Sequence, residues 1–163
     1  MPVPCVPDNE IAQKIIASCE AHFAANAADC NQFLKAALAD FLAAGYLDGL
    51  NADGIVGKLQ DPTEAWTTSR AIPTAIAMAK NGHVVIAGMT SAALGQRHGH
   101  VAVVVGCDGQ MSGTTVVPLG YAGALGNPAA ELCGGRLSGT FEAALVRAGR
   151  IDYYFKPPDR TPV

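Results

Sequence analysis

Apolar residues recur at helical spacing near the start of the chain. Ile11, Ile15, Cys19 and Phe23 fall on one stripe behind Pro7-Asp8-Asn9, a helix-start signal, so a first amphipathic helix is predicted to about Ala24. The polar, small stretch Asn26-Ala27-Ala28-Asp29-Cys30 interrupts the period. Phe33, Leu34, Ala37, Leu38, Phe41 and Leu42 then restore it until Gly45, which predicts a second helix opening at or beside Cys30. Phe33, Leu34, Ala37 and Phe41 share the face on which Cys30 stands, so its thiol belongs to the side that packs inward.

From Leu50 to Lys80 the pattern reads as short helical pieces broken by Gly54, Gly57, Pro62 and Pro73, with starts at Asn51 and Asp61-Pro62. After Asn81-Gly82 the character changes. His83 to Ala87 is a β-branched run, Thr90 to Arg97 a loop, and His100 to Val105 a second run. Asp108-Gly109 signals a turn and Thr114 to Val117 a third strand, together an antiparallel meander. Gly120 to Gly135 is rich in Gly and Ala and gives no assignment. Thr140 is placed as the cap of a helix from Phe141 to Arg147 closed by Gly149, and Ile151 to Phe155 as a last strand. There are no internal repeats. The sum is one α+β domain over residues 1–156, N-terminal helices packed on a small antiparallel sheet, with a flexible tail over 157–163.

Composition narrows the function classes. Half of the 163 residues are hydrophobic and only 15% charged, against roughly 25% in ordinary soluble domains, which excludes disorder over most of the length. Eleven basic against 14 acidic residues give a net charge of −3, with no Lys/Arg stripe to neutralise phosphates, so nucleic acid is not expected as a partner. Apolar stretches such as Val101 to Val105 fall far short of the roughly 20 residues of a membrane span. Met1 to Asp8 has no basic leader, h-region or cleavage site, so a general secretory signal peptide is not expected and folding in the cytoplasm is. The five cysteines, Cys5, Cys19, Cys30, Cys107 and Cys133, form no CxxC pair, which fits neither a zinc ribbon nor a full disulfide framework and leaves at least one free thiol. Neither a metal nor a cofactor is called for. Cys19 reads as a small core hydrophobe, and Trp66, the only tryptophan, as core or cleft wall.

Cys30 is the residue with chemistry. A thiol at a helix N-terminus meets the positive end of the dipole and free N–H groups, which favour the thiolate and lower its pKa. A neighbouring N–H can stabilise an oxyanion when that thiolate attacks an amide carbonyl. A base is then required, and His22, His83, His98 and His100 compete for the role. His22 lies beside the first helix's apolar stripe and His98 in a loop, where it is solvated or assists substrate binding. His83 and His100 each follow a glycine and open a β run, so spacing alone does not choose between them.

Asp29-Cys30 opening a helix, Val85-Ile86-Ala87-Gly88, and Gly99-His100-Val101-Ala102-Val103-Val104 stand in an order that resembles the NlpC/P60 group of papain-like peptidoglycan amidases. More narrowly, they are similar to the amidase effectors (Tae) that type VI secretion systems inject into rival bacteria, and to the first of those families above the others. The matching blocks span about Asp29 to Gly45 and Gly82 to Gly106, with weaker echoes at Tyr121 to Gly126 and Asp152-Tyr153-Tyr154. The resemblance implies a papain-like NlpC/P60 fold, Cys30 as nucleophile and His100 as general base, with His83 a decoy.

It further implies a substrate, peptidoglycan peptide stems cut between D-glutamate and meso-diaminopimelate. The cross-link between diaminopimelate and D-alanine, cut by sister families, is the alternative. Delivery by the type VI apparatus without a signal peptide, action in the target's periplasm, and a cognate immunity protein occluding the Cys30 cleft follow as expectations. Two departures stand out. Where this group supplies a third residue to orient the histidine, the chain reads Val116-Val117-Pro118-Leu119-Gly120, which leaves a backbone carbonyl, Thr114, Thr115 or Cys107. Members nearest in pattern pair an N-terminal with a C-terminal cysteine, and here only Cys5 with Cys133 resembles that pairing. Two other functions are weighed: a non-catalytic cell-wall binding module on the same fold, and a housekeeping hydrolase of cytoplasmic peptides.

Overall fold

The computed structural model describes residues 5–163, so the first half of the Met1–Asp8 stretch, where no leader pattern is found, lies outside the described residues. The elements in order are α1 (Glu10–Asn26), α2 (Cys30–Leu38), α3 (Ala52–Gln60), β1 (Thr67–Ser69), α4 (Ile72–Lys80), β2 (Val84–Met89), α5 (Ser91–Leu94), β3 (His100–Val104), β4 (Gln110–Ser112), β5 (Thr115–Val117), β6 (Leu119–Ala122), β7 (Leu132–Arg136), α6 (Ala143–Arg147) and β8 (Asp152–Lys156). The fold is α+β, helices with an antiparallel sheet.

The first three helices start where capping side chains stand. The Asn9 carboxamide oxygen accepts from the Ala12 N–H, Asn51 from Gly54, and Asp29 from both Asn31 and Gln32, each taking up donors that a helix start leaves unpaired. The end of α2 differs from expectation: the helix stops at Leu38, seven residues before Gly45. Phe41 and Leu42 stay buried, so the apolar period reports burial there and not helix. The C-terminal residues explain it. The Arg160 guanidinium donates to the carbonyls of Ala39 and Leu42, the Asp159 N–H donates to that of Phe41, and the Asp159 carboxylate accepts from the Ala43 N–H. Residues 157–163, predicted as a tail, thus supply the partners that another helical turn would otherwise supply.

The main sheet has the order β1-β8-β2-β3-β6-β7, with every neighbouring pair antiparallel. β2 and β3 pair as the sequence predicts. The meander does not continue, however, because β5 leaves the sheet to form a separate hairpin with β4, and β6 takes the place beside β3. The last strand, β8, inserts between β1 and β2, a long-range pairing that no local pattern encodes.

Helices cover both faces, and this explains the unbroken apolar runs of β2 and β3. Val84, Ile86, Val101, Val103 and Tyr154 pack toward α1, α2 and α3, with Ile15, Phe33, Leu34 and Ile55. Val85, Ala87, Ala102, Val104 and Tyr153 pack on the other side with Ala75 and Ala79 of α4, Phe141, and Val146 of α6. Cys19 is fully buried on the first face, and Trp66 packs at the edge of that same cluster, its indole N–H donating to the Tyr46 hydroxyl at 2.9 Å. No helix among the described residues is long and apolar enough to cross a membrane.

A disulfide joins Cys5 to Cys107, 102 residues apart, and corrects the Cys5–Cys133 pairing considered from the sequence. Cys107 lies just beyond the end of β3, with its Cα 5.8 Å from that of Cys5, within reach of a bridge. Cys133 sits on β7, which ends the sheet, and is a free thiol 3.9 Å from the Glu20 carboxylate.

Candidate active site

The nucleophile candidate sits where the sheet leaves room for it. β6 pairs with β3 only at Val103↔Tyr121 and Val104↔Gly120, so beside His100 to Ala102 the β6 side of the strand is open. The start of α2 fills that gap. Beyond β6 the chain turns onto the segment preceding α2, where the Ala124 N–H donates to the Ala27 carbonyl at 2.9 Å. Gly123 makes the approach possible, because a Cβ there would stand 2.5 Å from the Asp29 carbonyl oxygen and 2.7 Å from that of Asn26.

Cys30 is therefore 5% exposed, and the nearby backbone N–H groups of Val101, Asn31 and Cys30 itself act to lower its pKa. Its thiol lies 3.4 Å from the Asn31 side-chain oxygen. The Asp29 cap takes the N–H groups of Asn31 and Gln32 at 2.9 and 3.2 Å, leaving that of Cys30 outside the cap. The expectation of a lowered thiol pKa is overturned. Burial pushes the thiol up, the three N–H groups only partly offset it, and the Asp29 carboxylate raises it further. A helix start favours a thiolate where the sulfur keeps some solvation; here desolvation outweighs the dipole.

His100 opens β3 opposite Met89, the last residue of β2. Its ring meets Phe141 edge-on, with centroids 4.8 Å apart, and its Nε2 lies 2.6 Å from the Thr140 hydroxyl oxygen. Burial pushes the imidazole down from 6.5 to about 4. At neutral pH the resting pair is consequently a thiol and a neutral imidazole.

This burial has a stability signature. Since the folded pKa lies below the unfolded one, the unfolded chain takes up a proton between pH 6.5 and about 4 that the folded chain refuses, and stability falls as pH falls through that window. The contribution is about 3 kcal/mol. Urea unfolding at pH 7 and at pH 4 should show His100→Gln losing less stability than the parent by an amount of that order; parallel losses in the two proteins would exclude a buried neutral imidazole.

Cys30 and His100 line one cleft of about 660 Å³. Asn51, which caps α3, Asp53 of α3, the Arg97–His98 loop, Leu125, Asn127 and Glu142 stand among its other walls. The Asp53 carboxylate fastens the start of α5, accepting from the Ser91 N–H at 2.7 Å and the Ser91 hydroxyl at 2.5 Å, bonds that hold its pKa below the usual carboxylate range.

The other sequence candidates fall elsewhere. His83 precedes β2 at the end of the sheet remote from His100, about 20 Å away at ~3.4 Å per residue, which excludes it as a partner of Cys30. His22 stays on α1 outside the cleft, whereas His98 lies on its exposed rim. Of the candidates to orient the base, Cys107 is held in the disulfide, and Thr114 and Thr115 belong to the β4–β5 hairpin, beside a different cavity. Thr140 does not cap a helix, since α6 begins at Ala143 without a side-chain cap, and its hydroxyl meets His100 instead. No sequence signal marks it: it lies 40 residues from His100 and just past the unassigned Gly/Ala-rich stretch. Among the described residues no group of three or more His, Cys, Asp and Glu is gathered to hold a metal ion. Neither a protein-family model nor a curated protein sequence matches the chain.

Proposed function

We propose that the chain is a papain-like, NlpC/P60-type cysteine amidase acting on the peptide stems of peptidoglycan, as an antibacterial effector of a type VI secretion system. The observation that carries the reading is the buried cysteine at a helix start that shares one cleft with the histidine opening the adjacent central strand. The chain order of those elements is the one on which the resemblance to the amidase effectors rests.

The chemistry starts from a neutral pair. As the Cys30 sulfur attacks the amide carbonyl carbon, its proton passes to the His100 imidazole and the carbonyl oxygen becomes an oxyanion, which the free N–H at the start of α2 stabilises. The C–N bond then breaks, and the imidazolium gives its proton to the departing amine. Water attacks the resulting thioester and yields a proton to His100. The C–S bond breaks, and the sulfur recovers that proton as the acid product leaves. One amide and one water become one acid and one amine, with the enzyme unchanged.

The proposed bond joins D-glutamate to meso-diaminopimelate, with the diaminopimelate to D-alanine cross-link as the alternative. A protein made in the producer's cytoplasm and acting in a rival's periplasm also requires an immunity protein that closes this cleft in sister cells. Mass spectrometry of Gram-negative sacculi digested with the purified protein tests the reading. Fragments ending at D-glutamate support the proposed bond, and monomers released from dimers support the cross-link. Intact muropeptides would overturn the amidase reading in favour of a wall-binding module.

A further inference from the structure

We propose that Thr140 is the positioning residue of the base: its hydroxyl oxygen accepts the Nε2–H of His100 and so fixes Nδ1 as the nitrogen that takes the proton. The proposal rests on the amidase reading of the cleft for its kinetic part and on the geometry alone for its structural part. The contact is 2.6 Å long, and the ring is braced from a second direction by Phe141, itself 4% exposed.

The backbone that presents Thr140 is anchored. Leu137, fully buried, donates its N–H to the Pro118 carbonyl at 2.9 Å, and its own carbonyl accepts from both Thr140 and Phe141 at 3.1 Å. A side chain held by such a turn keeps its place while the imidazole gains and loses a proton. The strand next to β3 offers no competitor. Gly120 and Ala122 have no polar side chain, and the Tyr121 hydroxyl donates to the Glu20 carboxylate at 2.5 Å.

A hydroxyl does a different job from the carboxylate found in many triads. It accepts from Nε2 in both the neutral and the protonated ring, so it holds one tautomer and one orientation, but it adds no negative charge to stabilise the imidazolium. Besides His100, the charged or titratable groups on the cleft walls are Asp29, Cys30, Asp53, Arg97, His98 and Glu142, and the ring's hydrogen bond goes to Thr140 rather than to any of them. A neutral orienting partner agrees with a ring that burial keeps unprotonated.

The test combines imidazole 15N NMR with kinetics on Thr140→Val, Thr140→Ser and Thr140→Asp. In the parent, and in Thr140→Ser, the His100 ring should show a protonated Nε2 and a bare Nδ1; Thr140→Val, equal in size, should show a mixture of tautomers. On sacculi, Thr140→Val should lower kcat roughly 10- to 100-fold with KM little changed, and Thr140→Ser should recover most of it. Thr140→Asp should raise the pH at which His100 titrates, moving the acid limb of the rate profile upward. A single Nε2–H tautomer in Thr140→Val together with parental kcat would overturn the proposal. A parent inactive on sacculi, with the tautomer still lost in Thr140→Val, would overturn the substrate reading and leave the positioning contact supported.

Discussion

Cys30→Ala should abolish the release of muropeptide fragments, slowing it by at least ~10⁴-fold, and His100→Ala should cost ~10²- to 10⁴-fold, while His83→Ala cleaves like the parent. The asymmetry follows from position. Without the sulfur there is no covalent route, whereas without the imidazole the thiol still ionises to a small extent by itself. Because burial lifts the Cys30 pKa above its usual value, that unaided fraction at pH 7 is small, which places His100→Ala toward the larger loss. The two residues act as a unit, so a variant lacking both should be no slower than Cys30→Ala alone. His83 stands at the far end of β2 and serves as the control for histidine loss as such. Initial rates of fragment release, with circular dichroism to confirm folding, decide the matter. Cleavage by Cys30→Ala at more than a few per cent of the parental rate would remove the nucleophile assignment.

The features that the sequence discloses are those set by local chemistry. Asn9 and Asp29 mark helix starts because an acceptor must stand next to unpaired N–H groups, and the Ile11–Phe23 and Phe33–Leu42 stripes mark buried faces because burial requires a period. The partnership of Cys30 with the β3 strand is legible only through resemblance, since 70 residues of unrelated pattern separate Cys30 from His100. The features it hides depend on distant segments. α2 stops early where Arg160 and Asp159 take up the carbonyls of Ala39, Phe41 and Leu42 just past it, β8 enters the sheet beside β2, and Cys107 meets Cys5 only once α1 has packed on the sheet. The direction of the Cys30 pKa belongs here too. The dipole at a helix start is readable from Asp29-Cys30, but the desolvation that outweighs it comes from the strand and the loop closing over the sulfur. Thr140 is the same case on the side of the base.

Removing the Cys5–Cys107 bridge should cost the most stability of any single chemical change outside the core. It closes a loop with a sequence separation of 102, and a cross-link of roughly that span restricts the unfolded chain by about 4 to 5 kcal/mol. Against a total of about 5–15 kcal/mol for an ordinary domain, this is a large share. Local packing works with the bridge: a Cβ on Gly106 would stand 2.7 Å from the Ala79 carbonyl oxygen and 2.9 Å from Ala12, so the turn carrying Cys107 is pressed between α4 and α1. Urea unfolding with and without a thiol reductant measures the effect. The reductant should shift the midpoint of the parent by several kcal/mol equivalent and leave a Cys5→Ser/Cys107→Ser double variant unmoved; a parental shift below about 1 kcal/mol would show that the bridge is not what holds the segment before α1. Cleavage at 25 °C should persist in the double variant, because the bridge lies past the end of β3 while His100 opens that strand. For the effector proposed above, made in a reducing cytoplasm and working in an oxidising periplasm, the expected consequence is a less stable protein in the cell that makes it and a locked one where it acts.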